Sequence, residues 1–562
     1  MQYADTPSGL SRYLPVLQWL PGYSSGWLRF DLVAGLTAAA VVIPQAMAYA
    51  AIAGLPVEVG LYTALVPMLI YVLLGTSRPL SVSSTSTLSM LTATELARVV
   101  QGGDPAETLV AASTLALLVG VFLLLAGLLR LGFLANFISL PVLTGFKAGV
   151  GLVIFVGQLG KVLGIPVEKG PFLQTILQLW RNLDQIHWLT LAVALITLAI
   201  LIVLPRLTKR LPAPLVAVAF GILVSALLNL DALGVELVGD IPAGLPALSL
   251  PNLSLVGDLW PGALGIALMS FVESIASARA FTGHDDPPVV ADQELLALGA
   301  ANVGGSFFQA YPAGGGTSQT AVNDQAGAHS QLAEAVTAGV VVLTLLFLAP
   351  LLSLMPEATL GALVLLAAAG LINVGEFWAI GRIRRHELAW AIITFAGVVV
   401  LGTLEGILVA VIISMLDIIF QANHPPVYVL GRKPGTDVFR PLQDHPGDET
   451  FPGLLLIRTE GRIYFANAPR VREKALALLE REQPRVIVLD CSAIPDIEYT
   501  ALTHLTSLEE KLREAGVILW LAALNPEPLR IVQRSSLGEA LGHERMFFTL
   551  EQAVETFQAR QV

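Results

Sequence analysis

From Gln309 to Ala321 the chain reads Gln-Ala-Tyr-Pro-Ala-Gly-Gly-Gly-Thr-Ser-Gln-Thr-Ala, a break without one large aliphatic side chain inside a long apolar region. Pro312 cannot donate a backbone hydrogen bond, and Gly314, Gly315 and Gly316 weaken any helix there. In hydrocarbon an unpaired backbone group is costly, so such a break persists only when it is buried in protein or lines a cavity. Directly after it, residues 317–328 can open a short helix whose free N–H groups and positive dipole end face the break. Arg78-Pro79-Leu80-Ser81-Val82 has the same design: an extended piece, then Ser83-Ser84-Thr85-Ser86-Thr87 opening a helix to about Leu96. Two interrupted segments, one in each half of the apolar region, are the pattern that marks a transporter binding site. The two helix N-termini are expected to face each other near the bilayer midplane and to hold an anion between them.

The chain of 562 residues is 55% hydrophobic and only 13% charged, and its mean hydropathy is +0.72. These values exclude an ordinary soluble protein and indicate a polytopic membrane protein embedded in a lipid bilayer. The formal net charge of -11 bears little on a buried site, where local dipoles and pairs dominate. Cys491 is the only cysteine, which rules out an intramolecular disulfide and a zinc or redox framework. No Gly-x-x-x-x-Gly-Lys-Ser/Thr phosphate loop is present, which disfavours an ATP-driven pump. The reading is of a non-enzyme with no cofactor, no metal site and no nucleic-acid partner.

Residues 1–30 read as a cytoplasmic lead-in without a signal-peptide core, so the first span, 31–53, is expected to act as the insertion signal. Apolar runs follow at about 60–75, 80–97, 108–129, 134–157, 187–204 and 213–229. A second series covers about 259–281, 291–307, 317–329, 331–352, 357–380, 387–402 and 404–422. That makes seven plus seven segments, several too short to cross ~30 Å alone. The halves (31–229 and 259–422) echo each other: Pro141-Val-Leu-Thr-Gly145 resembles Pro356-Glu-Ala-Thr-Leu-Gly361 at matching places after the two breaks. Odd-numbered repeats must be inverted relative to one another, so the transport domain 31–422 is expected to be a 7+7 inverted repeat.

Arg206, Lys209 and Arg210 form one basic cluster and Arg382, Arg384 and Arg385 another, and both fall on the side of the N-terminus. The long loop from Asn229 to Trp260 carries Asp231, Glu236, Asp240 and Asp258 but no Lys or Arg. By the positive-inside rule both termini are cytoplasmic, in the inner membrane, although Lys161, Lys169 and Arg181 count against this orientation. After His424-Pro-Pro426 the composition changes. Residues 423–452 read as a linker and 453–562 as a small cytoplasmic α/β domain, with strands at 454–457, 462–465, 486–489 and 517–522 and helices at 470–481, 501–515 and 550–558.

Three sets of residues carry a family resemblance. Asp31-Leu-Val-Ala-Gly-Leu-Thr37, Ile43-Pro-Gln-Ala-Met-Ala-Tyr-Ala50 and Ala53-Gly-Leu-Pro56 resemble the first-span signature of the sulfate permease family, also called solute carrier family 26. Phe137-Ile-Ser-Leu-Pro-Val-Leu-Thr-Gly-Phe146 resembles its fifth span. Tyr464-Phe-Ala-Asn467 and Val488-Leu-Asp-Cys-Ser492 resemble its STAS domain. The resemblance implies fourteen segments arranged as a mobile core domain beside a gate domain, an anion substrate and a homodimer. The chain departs from the family at two places. Ser83-Ser84 stands where many members have Gly-Pro, and Ser318-Gln-Thr-Ala321 where many have Ser-Arg-Thr-Ala. A fixed positive charge is thus missing from the second half-helix.

Gln45, mid-span beside Pro44, is a candidate substrate donor or an interhelical bond. Tyr49, one turn on, reads as gate or packing. Ser83, Ser84, Thr85, Gly315, Gly316, Thr317 and Ser318 sit at the two helix starts. Capping explains one hydroxyl per helix, not runs of them behind breaks at both sites. Glu273, in Ala267-Leu-Met-Ser-Phe-Val-Glu-Ser-Ile-Ala-Ser277, is a carboxylate within an apolar span, which by default marks an ion pathway or proton relay. Ser277 lies one turn away on the same face. The coupling ion is read as a proton carried by this carboxylate; the family resemblance implies a sodium-binding acid and hydroxyl in this span, so sodium is the alternative. Lys147 reads as snorkelling or structurally paired. Asp496-Ile-Glu-Tyr-Thr-Ala501, with Thr500 nearest to the phosphorylatable serine of antagonist relatives, reads as a helix cap. His284-Asp-Asp286 reads as a solvated turn. The functional expectation is proton-coupled symport of a small dicarboxylate such as fumarate, with bicarbonate or sulfate, sodium coupling, or an uncoupled channel-like pathway as alternatives.

Overall fold

The computed structural model describes residues 14–100, 104–136, 139–167, 172–208, 212–283 and 286–560. Lys169, Lys209, Arg210, His284, Asp285, Phe137 and Ile138 lie outside the described residues. The chain divides into two units, Met1–Ser414 and Met415–Val562.

The first unit is helical. Its first half comprises α1 (Leu28–Ala53), α2 (Val57–Leu74), β1 (Val82–Ser83), α3 (Ser86–Val99), α4 (Pro105–Leu128), α5 (Leu140–Leu163), α6 (Phe172–Arg181), α7 (Trp188–Leu207) and α8 (Ala213–Leu228). The second comprises α9 (Val256–Ala280), α10 (Ala291–Ser306), β2 (Gly314–Gly315), α11 (Thr317–Gln325), α12 (Leu332–Leu352), α13 (Glu357–Leu371), α14 (Val374–Ile383), α15 (Arg385–Leu401) and α16 (Thr403–Asn423). Eight helices among the described residues are long and apolar enough to cross a membrane. The short members, α3 and α11, are the two expected half-helices.

Seven segments and then seven recur in the same order, with a short strand before the third of each series. The segments sort by packing into two bodies. The helices α1 to α4 pack with α9 to α12, as in the pairs α4–α10 and α1–α12, and α5 packs against α13 and α15. Gly145, in the Pro141–Gly145 stretch that Pro356–Gly361 echoes, permits the last approach: a Cβ there would stand 2.1 Å from the Ala391 carbonyl oxygen. These bodies are the core and gate domains of the fourteen-segment fold.

Two details differ from the sequence expectation. The run 357–380 is cut at Ile372, because the Asn373 side chain accepts from the Glu376 N–H at 3.3 Å and starts a new helix. The amphipathic helix α6 between spans was not anticipated.

In the second unit a six-stranded sheet has the order β4-β3-β5-β6-β7-β8. The strands are β3 (Val427–Arg432), β4 (Phe439–Pro441), β5 (Leu454–Thr459), β6 (Val486–Asp490), β7 (Ile518–Ala522) and β8 (Met546–Phe547). From β5 to β8 neighbours are parallel, and β3 joins β5 antiparallel with Val427 opposite Thr459. The helices α17 (Ala468–Glu482), α18 (Tyr499–Glu514), α19 (Pro526–Gln533), α20 (Ser536–Leu541) and α21 (Leu550–Arg560) complete it. Two expectations change. The stretch 423–452, read as a linker, contributes two strands to the sheet. The strand expected at 462–465 is a turn: Asn467 accepts from the Tyr464 N–H at 2.9 Å and donates to the Arg462 carbonyl, leaving a single bridge between Ile463 and Ile497.

Candidate functional site

The two breaks meet. Strands β1 and β2 pair antiparallel, with Val82 opposite Gly315 and Ser83 opposite Gly314. Because the strands run in opposite directions, the helices that follow them, α3 and α11, begin on opposite sides of the crossing with their N-termini turned inward. Other backbone groups of the breaks find polar side chains, as a segment buried in a membrane protein requires. The Gly315 N–H donates to Ser274 Oγ at 2.6 Å, Asn302 Oδ1 accepts from the Ala313 N–H at 2.8 Å, and Gln331 Nε2 donates to the Ser77 and Leu80 carbonyls. Glycine at 315 is set by contact: a Cβ would lie 2.7 Å from Leu80 Cδ1 and 3.0 Å from Ser274 Cα.

At the start of α3, Thr85 caps the helix by accepting from the Leu88 N–H at 3.3 Å. At the start of α11, Gly316 has no side chain with which to cap, so the first-turn N–H groups of Thr317, Ser318 and Gln319 remain for a ligand. A cavity with about 420 Å³ of empty space lies beside these two helix starts. It is lined by Tyr49 from α1, by Ser84 to Thr87 at the start of α3, and by Gly315 to Gln319 from the second break. Glu273 from α9, Lys147 from α5 and Leu371 from α13 complete it, so both bodies contribute. Glu273 accepts from Thr87 Oγ1 at 2.7 Å and from Thr85 Oγ1 at 3.3 Å.

Of the residues singled out in the sequence, Tyr49, Ser84, Thr85, Gly315, Gly316, Thr317, Ser318 and Glu273 thus gather around one cavity. Three stand just outside it. Ser83 Oγ donates to Gln319 Oε1 at 2.7 Å, and Ser277 shares a 2.7 Å hydrogen bond with Thr317 Oγ1 rather than facing Glu273. Gln45 lies one turn before Tyr49, and its Oε1 is buried without a hydrogen-bond partner. No group of three or more His, Cys, Asp or Glu able to hold a metal occurs among the described residues.

Lys147, read as snorkelling or structurally paired, fits the second of these: its charge acts on Glu273. It does not snorkel away from the site, and it forms no salt bridge among the described residues. It lines the cavity, close enough for Coulomb attraction to act between its ammonium and the Glu273 carboxylate. Gln319 and Lys147 thus line the same cavity from opposite bodies. Gln319 itself went unnoticed as a site residue; its place in the Ser-x-Thr-Ala pattern was the available signal.

The sulfate permease family model matches residues 28–394, and the STAS domain model matches 445–553. The chain belongs to the sulfate permease family. Among its sulfate permease relatives, a probable sulfate transporter of Mycobacterium tuberculosis (strain CDC 1551 / Oshkosh) is 38% identical over 552 residues, covering 96% of this chain and 98% of the relative. The chloroplastic sulfate transporter 4.1 of Arabidopsis thaliana is 31% identical, covering 96% of this chain and 82% of the relative. Among solved structures, that of SLC26A9 matches with a TM-score of 0.88 at 25% identity, over 98% of this chain and 93% of the other. The transmembrane domain of a cyanobacterium bicarbonate transporter, BicA, matches with a TM-score of 0.61 at 25% identity, over 70% of this chain and 98% of that domain. The protein is an anion transporter of this family, a multi-pass membrane protein with a C-terminal STAS domain.

Proposed function

We propose that this transporter carries a divalent oxyanion, sulfate in the first place, into the cell together with a proton by alternating access. The observation that supports this most is the cavity in which two helix N-termini, an ammonium and a carboxylate come together. The helix ends and the hydroxyls of Ser84, Thr85, Thr317 and Ser318 suit the oxygens of a tetrahedral oxyanion. Lys147 adds the charge that a dianion needs. Sulfate stands ahead of the dicarboxylate because Lys147 brings a positive charge to a cavity whose second half-helix carries none, and because relatives at 38% and 31% identity are named as sulfate transporters.

Glu273 is the coupling residue in this reading. When ionised it competes with the anion for Lys147; when protonated it leaves the lysine to the anion. Anion and proton therefore favour each other's binding, and by linkage the effect is reciprocal. The core body, which bears both helix ends, moves against the gate body, which bears Lys147. Both termini lie in the cytoplasm, the membrane is the inner membrane, and the working form is a homodimer.

A second reading, a small dicarboxylate such as fumarate, draws support from the two separate positive poles of the cavity, with one carboxylate at the helix ends and the other at Lys147. Proteoliposome uptake of radiolabelled sulfate under an imposed inward proton gradient tests the first reading. Sulfate should accumulate above equilibrium, with fumarate and bicarbonate competing weakly. Flux that only equilibrates sinks coupling in favour of a channel-like pathway, sodium-dependent accumulation transfers it to sodium, and strong competition by fumarate transfers the substrate to the dicarboxylate.

A further inference from the structure

The second unit contains a cavity that the transport reading does not use. It lies between one face of the sheet and the helices α17 and α18, with about 820 Å³ of empty space that is partly open to solvent. The opposite face of the same sheet is filled by large side chains: Trp520 packs against Phe547 with ring centroids 4.9 Å apart, beside Phe557 of α21. On the cavity face the helices present small residues, Ala475 and Ala501, to the branched aliphatics Ile457, Ile487 and Leu519.

The polar groups of this cavity gather at one end. Strands β5, β6 and β7 are parallel, so α17 and α18 start at the carboxyl edge of the sheet and run back along it. Thr459 is the last residue of β5, while Arg472 and His504 lie in the second turns of α17 and α18. All three border the cavity, at the edge where ligands of parallel sheets bind. Thr459 is 1% exposed, and its Oγ1 is buried without a hydrogen-bond partner. Arg472 and His504 are half-buried, and among the described residues neither has a hydrogen-bond or ion-pair partner. Toward the other end the lining is purely aliphatic, with Leu476, Leu512 and Leu519.

We propose that this cavity binds a linear fatty acid. Its carboxylate sits at Arg472, His504 and the Thr459 hydroxyl, and its chain runs between α17 and α18 towards Leu512. The orphan hydroxyl and the two unpaired basic groups answer the head, and the aliphatic channel answers the tail.

The test uses the full chain in phosphatidylcholine nanodiscs and a fatty acid carrying a diazirine on its chain, with labelled peptides mapped by mass spectrometry. Label is expected on peptides from α17 and α18, and laurate should compete better than octanoate, by about fourfold per added methylene in affinity. The methyl ester of laurate should compete poorly. Arg472→Glu, which leaves the aliphatic lining intact, should cut labelling at these peptides by about tenfold. Ala475→Trp should abolish it by filling the channel. Label confined to the membrane spans, equal competition by the ester, or undiminished labelling of Arg472→Glu overturns the proposal.

Discussion

Glu273→Gln separates charge from shape at the centre of the proposed mechanism. In the native site the carboxylate accepts from Thr87 Oγ1 at 2.7 Å and from Thr85 Oγ1 at 3.3 Å. Glutamine keeps the length of the side chain and retains one acceptor for Thr87. Its amide nitrogen then faces Thr85 Oγ1, which can accept from it while still accepting from the Leu88 N–H. A charge-assisted hydrogen bond contributes about 1.5–3 kcal/mol and a neutral one about 0.5–1.5, so exchanging both bonds costs folding about 2–3 kcal/mol. Transport should change far more. One pH unit corresponds to about 1.4 kcal/mol per proton, so a step of about two units drives roughly hundredfold accumulation at one proton per anion. In the variant that factor should fall to about one, while exchange of internal for external sulfate continues. The assay is radiolabelled sulfate in proteoliposomes, measured once with a pH step and once as counterflow at equal pH. If the variant still accumulates sulfate in answer to the pH step, Glu273 does not carry the coupled proton.

Other consequences follow from the same geometry. Lys147→Gln should raise the KM for sulfate by about tenfold to a hundredfold, as expected when one partner of a desolvated charged contact is removed, and Lys147→Arg should largely restore it; unchanged kinetics in the glutamine variant would return Lys147 to a structural role. Gly315→Ala forces a methyl against Leu80 Cδ1 at 2.7 Å and Ser274 Cα at 3.0 Å. Overpacking of about 1–3 kcal/mol should appear as a lower thermal midpoint in fluorescence-detected size exclusion, and a wild-type midpoint counts against the tight crossing of β1 and β2. Cys491 is fully buried, and burial pushes its thiol well above the ordinary cysteine range. It should resist maleimide in the native protein at mildly alkaline pH and react once urea opens the domain; rapid native labelling refutes its burial.

The architecture was legible because the membrane leaves few choices: apolar runs must be helices, and the places where Pro312, the glycines 314–316 and Pro79 forbid a helix had to be sheltered. The burial of Glu273 was legible for the same reason. The place of Lys147 at the cavity was not, since a lone lysine in an apolar span is ordinarily drawn to an interface by its long stem, and only the packing of α5 beside the two helix starts reveals where its ammonium lies. Gln319 marks the charge missing from the second half-helix, but a sequence alone does not tell which span brings a cation to the same cavity. In the second unit β3 was hidden by its flanks: Pro425 and Pro426 before it and a glycine- and proline-rich stretch after it outweigh the short apolar run of Val427, Val429 and Leu430. The opposite error at 462–465 came from aromatic residues that look like strand but are folded into a turn by Asn467.

Burial alone does not single out Glu273 as the proposed coupling carboxylate, because several acids in the first unit are equally enclosed. Asp31 accepts from Tyr23 Oη, Ser330 Oγ and the His329 N–H, and Glu294 from Tyr71 Oη and from both the N–H and hydroxyl of Thr76. Each clamps one stretch of chain to another, and neither borders the cavity. Glu334 accepts only from Ser81 Oγ, with its other oxygen unpartnered, and it too stands away from the lysine. The Glu273 carboxylate differs in the nature of its partners. Its donors belong to the cap and first turn of a half-helix that opens onto the cavity, and Lys147, the one cation lining that cavity among the described residues, comes from the opposing body. A charge change there alters the anion's electrostatic surroundings and the contact between core and gate together. A clamp carboxylate has no such lever, so position relative to the helix ends and Lys147 is what separates a coupling acid from a structural one.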